Sequence, residues 1–152
     1  MTGIFRKDVL RRGLLGLGAA LVAIQLVPVD RTSPPVAAEI QAPANVRAVL
    51  KRACYDCHSN ETAWPWYSRV APVSWLVARD VREGRKELNF SDWGGYEPRR
   101  QARKLKETRE EVAKGEMPPW FYVAVHREAA LSADDEALLR EWTLGGTPEP
   151  AP

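Results

Sequence analysis

Cys54-Tyr55-Asp56-Cys57-His58 constrains this chain more than any other feature. The sequence holds only two cysteines and two histidines, and this segment uses three of those four residues. On a helix, residues three apart share a face, so both sulfurs can reach one edge of a flat macrocycle. The histidine that follows can swing beneath the ring and offer an imidazole nitrogen to a central iron. Cys-x-x-Cys-His is the attachment pattern of c-type haem, which has two thioethers and a proximal histidine. The expectation is one covalent haem c on Cys54 and Cys57, with His58 on the iron.

The same residues have rival uses. A thioredoxin-like redox pair calls for a βαβ setting, and none is visible. A structural zinc site needs four ligands, and Cys54, Cys57, His58 and His126 would spend every Cys and His in the chain. A disulfide between residues three apart on a helix is strained.

The body reads as all-α. Val46, Val49, Leu50, Ala53, Cys54 and Cys57 fall on one face of a helix that starts at Pro43 or Ala44. A second helix begins near Pro72, with Val73, Leu76, Val77 and Val81 on one face and Gly84 near its end. A third runs from Pro98 to Lys114 and stops at Gly115, with a thin stripe of Ala102, Leu105 and Val112. A fourth opens at Ser132, where Asp135 completes a capping box, buries Leu138, Leu139 and Trp142, and ends at Gly145-Gly146. No stretch alternates for long as a half-buried strand does.

The N-terminus has a different character. Arg6, Lys7, Arg11 and Arg12 precede an apolar run from Gly13 to Val29 that is interrupted by Gln25. As a helix it reaches roughly 25 Å, just short of a ~30 Å hydrocarbon core. An export signal or a retained membrane anchor is implied, with the N-terminus cytoplasmic and the chain after residue 31 outside. Removal of the segment at Val36-Ala37-Ala38 is the alternative to retention. The domain expectation is 1–31 anchor, 32–43 Pro-rich linker, 44–144 haem domain and 145–152 flexible tail. The chain's net charge is +2, and the cations before residue 32 account for it. A body without basic excess argues against nucleic acid as a partner.

Further segments resemble a known family. They are Leu50–Asn60, Trp64-Pro65-Trp66-Tyr67-Ser68, Glu87-Leu88-Asn89-Phe90-Ser91, Gly115-Glu116-Met117-Pro118, His126 and Leu131-Ser132. In this order they resemble the small bacterial haem-binding domain family, which belongs to the cytochrome c superfamily. The resemblance spans roughly 46–142. It implies a small cytochrome c-like helical domain wrapped around haem, behind a retained N-terminal anchor in the bacterial inner membrane. The chain departs from the family after Met117-Pro118, where Pro119-Trp120-Phe121-Tyr122 is bulkier.

The remaining axial position on the iron has few candidates. Met117 sits in a Met-Pro-Pro loop ahead of the last helix, where similar cytochromes place an axial methionine; His126 is the alternative, and an open iron is a third outcome. Trp64, Trp66, Trp75 and Trp93 suit core packing, and an indole N–H, Tyr67 or Arg69 suits a haem propionate. The basic stretch Arg99, Arg100, Arg103, Lys104, Lys106, Arg109 is interrupted by Glu107, Glu110 and Glu111. It reads as a solvated face, with docking of an acidic redox partner as the alternative. No catalytic constellation is visible. The function expected is a membrane-anchored monohaem cytochrome that carries single electrons on the periplasmic side to an unidentified redox partner. A haem sensor or small haem enzyme, and a thiol-redox or metal-binding module without haem, are the competing classes.

Overall fold

The computed structural model describes residues 2–145, with side chains from residue 7 onward. Its elements are helical, and no strand occurs among the described residues. The expected tail lies outside the described residues except for Gly145, and so does Gly146. The chain forms two compact units. One joins the chain up to Thr32 with Trp64–Asp80; the other joins Ser33–Ala63 with the chain from Val81 onward.

The first unit contains α1 (Thr2–Ala23), continued by a 3-10 turn at Ile24–Leu26. Within it, Lys7–Leu26 is long and apolar enough to cross a membrane, and none of it is buried in protein. A second 3-10 turn, Trp66–Arg69, leads into α4 (Val73–Glu87), whose first half belongs to this unit. The Gln25 carboxamide holds the backbone of Ala71 with both its polar atoms. Its Nε2 donates to the Ala71 carbonyl at 3.1 Å, and its Oε1 accepts the Ala71 N–H at 2.9 Å. Arg31 donates to the Ser68 carbonyl at 3.3 Å.

The second unit holds α2 (Ala44–Ala53), α3 (Tyr55–His58), the end of α4, α5 (Pro98–Ala113), α6 (Trp120–Val125) and α7 (Ala133–Thr143). Ile40, Val46, Val49, Leu50, Tyr55, Leu88, Phe90, Val112 and Leu139 form its core. Val46, Val49, Leu50 and Ala53 are the buried face of α2, as their spacing predicts. Pro98 opens α5, where its missing N–H costs no hydrogen bond, and Gly115 ends it at φ 72°. Both arms of the Ser132–Asp135 capping box are made at the start of α7. The basic stretch on α5 is balanced along its own helix. Arg103 and Lys106 pair with Glu107 and Glu110, and the buried Lys104 reaches Glu107 at 2.7 Å and Glu87 at 3.6 Å.

Two elements were not anticipated. The six-residue α6 interrupts a stretch that reads as loop. Residues 33–43 are extended and lie along 90–94. Ala37 and Ala38 donate to the Ser91 carbonyl, Ile40 donates to Phe90, and Gly94 donates back to Ala38. A Cβ on Gly94 would sit 2.7 Å from the Ala38 Cβ, so this close approach depends on glycine.

Arg52 ties the end of α2 to the start of α7. It donates to the carbonyls of Glu128 and Ala130 and pairs with Asp135 at 2.9 Å. Burial raises the Asp135 pKa, but hydrogen bonds from the Ser132 backbone and hydroxyl and from Arg52 outweigh it, and the net shift is downward. A carboxyl whose folded pKa is depressed stabilises the fold above its unfolded pKa of about 3.9 and loses that effect as pH falls. Asp135→Asn is expected to cost about 1 kcal/mol at pH 7. The difference from wild type should shrink towards zero on acidification, as urea denaturation across pH will show. An equal difference at acid and neutral pH would contradict this account.

Candidate functional site

The spacing predicts one helix through Cys57, but the structure breaks it at Cys54, whose backbone adopts φ −127°, ψ −34°. The chain stays hydrogen-bonded across the break. Cys54 N–H donates to Leu50 at 2.9 Å, and the N–H groups of His58 and Cys57 donate to the Cys54 carbonyl at 2.9 and 3.3 Å. Tyr55 supplies the physical reason. An unbroken helix would rotate it by about 100° per residue away from the face that Cys54 continues. The break turns its ring into the core, stacked on Phe90 at 5.5 Å and 17°, with the phenol donating to Glu39 at 3.0 Å. Both cysteines are left half-buried, and Cys54 packs against that core.

His58 is held by one nitrogen. Its Nδ1 lies 3.0 Å from the Gly84 carbonyl and 3.1 Å from that of Leu88. Both partners are acceptors, so Nδ1 carries the proton and Nε2 keeps its lone pair. A metal-ligating histidine is oriented in this way, with a backbone carbonyl fixing the tautomer. Burial is the largest influence on the imidazole and lowers its pKa against the two backbone bonds, which favours the neutral, ligand-competent form.

Gly84 makes this geometry possible. A Cβ there would lie 2.5 Å from the Cys57 carbonyl oxygen and 3.1 Å from the Cys57 Cβ. Gly84 is therefore a close-approach residue inside α4, which runs on to Glu87.

Burial, reinforced by the Cys57 charge and opposed by Arg52, pushes the Cys54 thiol up to about 12. Reactive redox cysteines have depressed pKa values, so this environment suits a neutral thioether better than a thiolate. Among the described residues no group of three or more His, Cys, Asp or Glu side chains is gathered around a metal position. The zinc set of Cys54, Cys57, His58 and His126 is not assembled. Two cysteines on adjoining turns, followed directly by an imidazole whose Nδ1 is held on two carbonyls, are residue types that suit a haem.

The axial candidates lie on one connection. Met117 is in the turn after α5, a residue 38% exposed whose N–H donates to the Glu111 carbonyl. His126 closes α6, stacked on Tyr122 at 4.4 Å and 20°, with Nδ1 3.2 Å from Glu128. Tyr122 donates its phenol to Asp56 of the Cys-x-x-Cys-His segment at 2.7 Å. The bulky Pro119–Tyr122 stretch thus contains a direct link to the motif, which no local pattern reveals.

Several residues that carry the family resemblance serve this scaffold. Asn60 N–H donates to Ser91 Oγ at 2.9 Å, Asn89 Nδ2 donates to Asn60 Oδ1 at 2.9 Å, and Asn60 Nδ2 donates to Pro35 at 3.0 Å. Arg85 donates to the Ser59 carbonyl at 2.8 Å and to Thr62 at 2.9 Å. These bonds fix the loop that leaves His58. Of the sequence's indole candidates, Trp93 belongs to this unit and packs on Phe90 and Tyr96. Trp64, Trp66 and Trp75 belong to the first unit, where the Trp64 Nε1 is buried with no hydrogen-bond partner among the described residues.

Compared with known proteins, the chain matches the haem-binding domain family over residues 19–144. No curated protein and no solved structure matches it.

Gly84→Ala tests the close approach. In an ordinary helix this change stabilises by roughly 0.5–1 kcal/mol. Here the methyl meets backbone, and overpacking of this kind costs about 1–3 kcal/mol. The expected outcome is a lower melting temperature and loss of the ordered His58 environment, read by thermal denaturation and by the imidazole NMR signals. A variant at least as stable as wild type would show that α4 can withdraw from Cys57 without penalty.

Proposed function

We propose that this chain, which belongs to the haem-binding domain family and is a haem-binding protein, holds its haem covalently as a c-type cytochrome and carries single electrons at the outer face of a membrane. The observation that carries the reading is His58, fixed through Nδ1 on the Gly84 and Leu88 carbonyls, one residue after the second cysteine of Cys-x-x-Cys. When bound, haem supplies an iron that alternates between ferric and ferrous states and so accepts or donates one electron.

The chain's own residues divide the remaining work. Cys54 and Cys57 would hold the macrocycle by thioethers, His58 Nε2 would bind its iron, and Met117 would be the second residue on that iron. Met117 stands 38% exposed beside two prolines that restrict its backbone, and His126, stacked on Tyr122 with Nδ1 beside Glu128, is the alternative. Asp56 and Arg52 fix the connection that carries Met117 by holding Tyr122 and the carbonyls of Glu128 and Ala130. The segment 13–29 serves as a retained anchor, with the body in the periplasm. The support for this is the length and apolarity of Lys7–Leu26 and the cations before it.

Replacing both Cys54 and Cys57 with Ala is expected to abolish covalent haem, because the chain has no other thiol. A haem-stained denaturing gel checks this, and a persistent band would overturn the attachment.

Met117→Ala is expected to remove the Met–iron charge-transfer absorbance, lower the reduction potential and admit carbon monoxide, because a thioether favours the ferrous state. His126→Ala should leave all three nearly unchanged. The reverse pattern would make this a bis-histidine cytochrome. A wild-type iron that is already high-spin would transfer the protein to the sensor or enzyme class.

A further inference from the structure

We propose that the surface formed by Trp66, Val70, Val73 and Leu76 rests in the lipid interface where the N-terminal helix leaves the membrane, giving the first unit a peripheral membrane contact beside its span. The proposal rests on the reading of Lys7–Leu26 as a retained membrane span.

Depth is set by hydrogen bonds within one unit. Gln25 lies in the last turn of the apolar stretch, where an unpartnered carboxamide in hydrocarbon would be costly. Its polar atoms are spent on the Leu21 carbonyl and on both backbone groups of Ala71. Ala71 is thereby held about one hydrogen bond from the end of the span. Arg31, just beyond that end, holds the Ser68 carbonyl in the same way. Residues 68–71 therefore sit at the level of the lipid headgroups.

The side chains around that level are apolar and uncovered. Trp66 is 76% exposed, Leu76 56%, Val70 44% and Val73 42%. Val73 and Leu76 are three apart at the start of α4 and share a face. Exposed tryptophan and aliphatic residues close to the end of a span match an aromatic belt. The exposed Arg69, within the stretch, and Arg79, just after it, suit lipid phosphates.

The test places the photoreactive residue benzoylphenylalanine at position 17, 66, 76 or 137 of the full chain. Each protein is reconstituted in vesicles of phosphatidylethanolamine and phosphatidylglycerol and illuminated, and lipid adducts are identified by mass spectrometry. The proposal expects lipid adducts at 17, 66 and 76 and none at 137, on the exposed face of α7. An adduct at 17 with none at 66 and 76, or with crosslinks there to protein alone, overturns the proposal and leaves the span intact. No adduct at 17 overturns the span and the proposal together. Gln25→Leu, which keeps the helix apolar, should reduce the adducts at 66 and 76 several-fold while leaving that at 17 unchanged. Undiminished adducts at 66 and 76 would overturn the role of the Gln25 tether.

Discussion

The pairing of His58 Nδ1 with two carbonyls at the end of α4 is the interaction on which the rest of the site depends. The last carbonyls of a helix lack intrahelical partners, and the Leu88 carbonyl lies just past Glu87, where α4 ends. The Gly84 carbonyl already accepts the Leu88 N–H at 2.9 Å, and the imidazole adds a second donor. One ring therefore completes the helix end and fixes its own tautomer. Both results need α3 and α4 in close approach, which the absent side chain of Gly84 allows. The helix cap and the orientation of the imidazole are the same contact, so a change in one disturbs the other.

Residues within and beside the motif form two clamps. On one side Ser59 and Asn60 are tied to Arg85, Asn89, Ser91 and the Pro35 carbonyl, which holds the exit from His58. On the other side Arg52 and Asp56 hold Glu128, Ala130, Asp135 and Tyr122. Tyr55 lies between the clamps as a core residue on Phe90. The segment that supplies the sulfurs and the imidazole is thus also the hub of the second unit's polar bonds. Such a hub holds the segment rigidly, because moving any one of these residues breaks bonds on both sides.

Local pattern made much of this readable. The buried face of α2, the Gly115 stop and the Ser132–Asp135 capping box are all short-range, and all appear in the structure. The features that were not readable depend on partners distant in sequence. The break at Cys54 exists because Tyr55 has Phe90 to stack on, and Gly84 reads as a helix end until Cys57 is seen against it. Residues 33–43 look like a spacer because their backbone bonds go to 90–94, and Ile40 is a lone apolar residue that finds the core. Val73 and Leu76 share a helical face with Val81, yet Val81 is buried and they are exposed. Periodicity identifies a face without saying what covers it.

The connection between α5 and α7 shows the same limit. Met117 and His126 stand on either side of Tyr122, and Tyr122 is hydrogen-bonded to Asp56 within the motif. The segment that carries both residues is therefore tied to the motif by a bond between partners far apart in sequence. The two side chains are held by different devices. His126 stacks on Tyr122 with Nδ1 beside Glu128, while Met117 stands 38% exposed on a backbone stiffened by Pro118 and Pro119. A carboxylate at Nδ1 orients an imidazole as the two carbonyls orient His58. Two prolines restrict the backbone beside a thioether by covalent geometry alone. The first device needs the folded connection, whereas the second is written into the local sequence, which is why Met-Pro-Pro is legible and the His126 contacts are not.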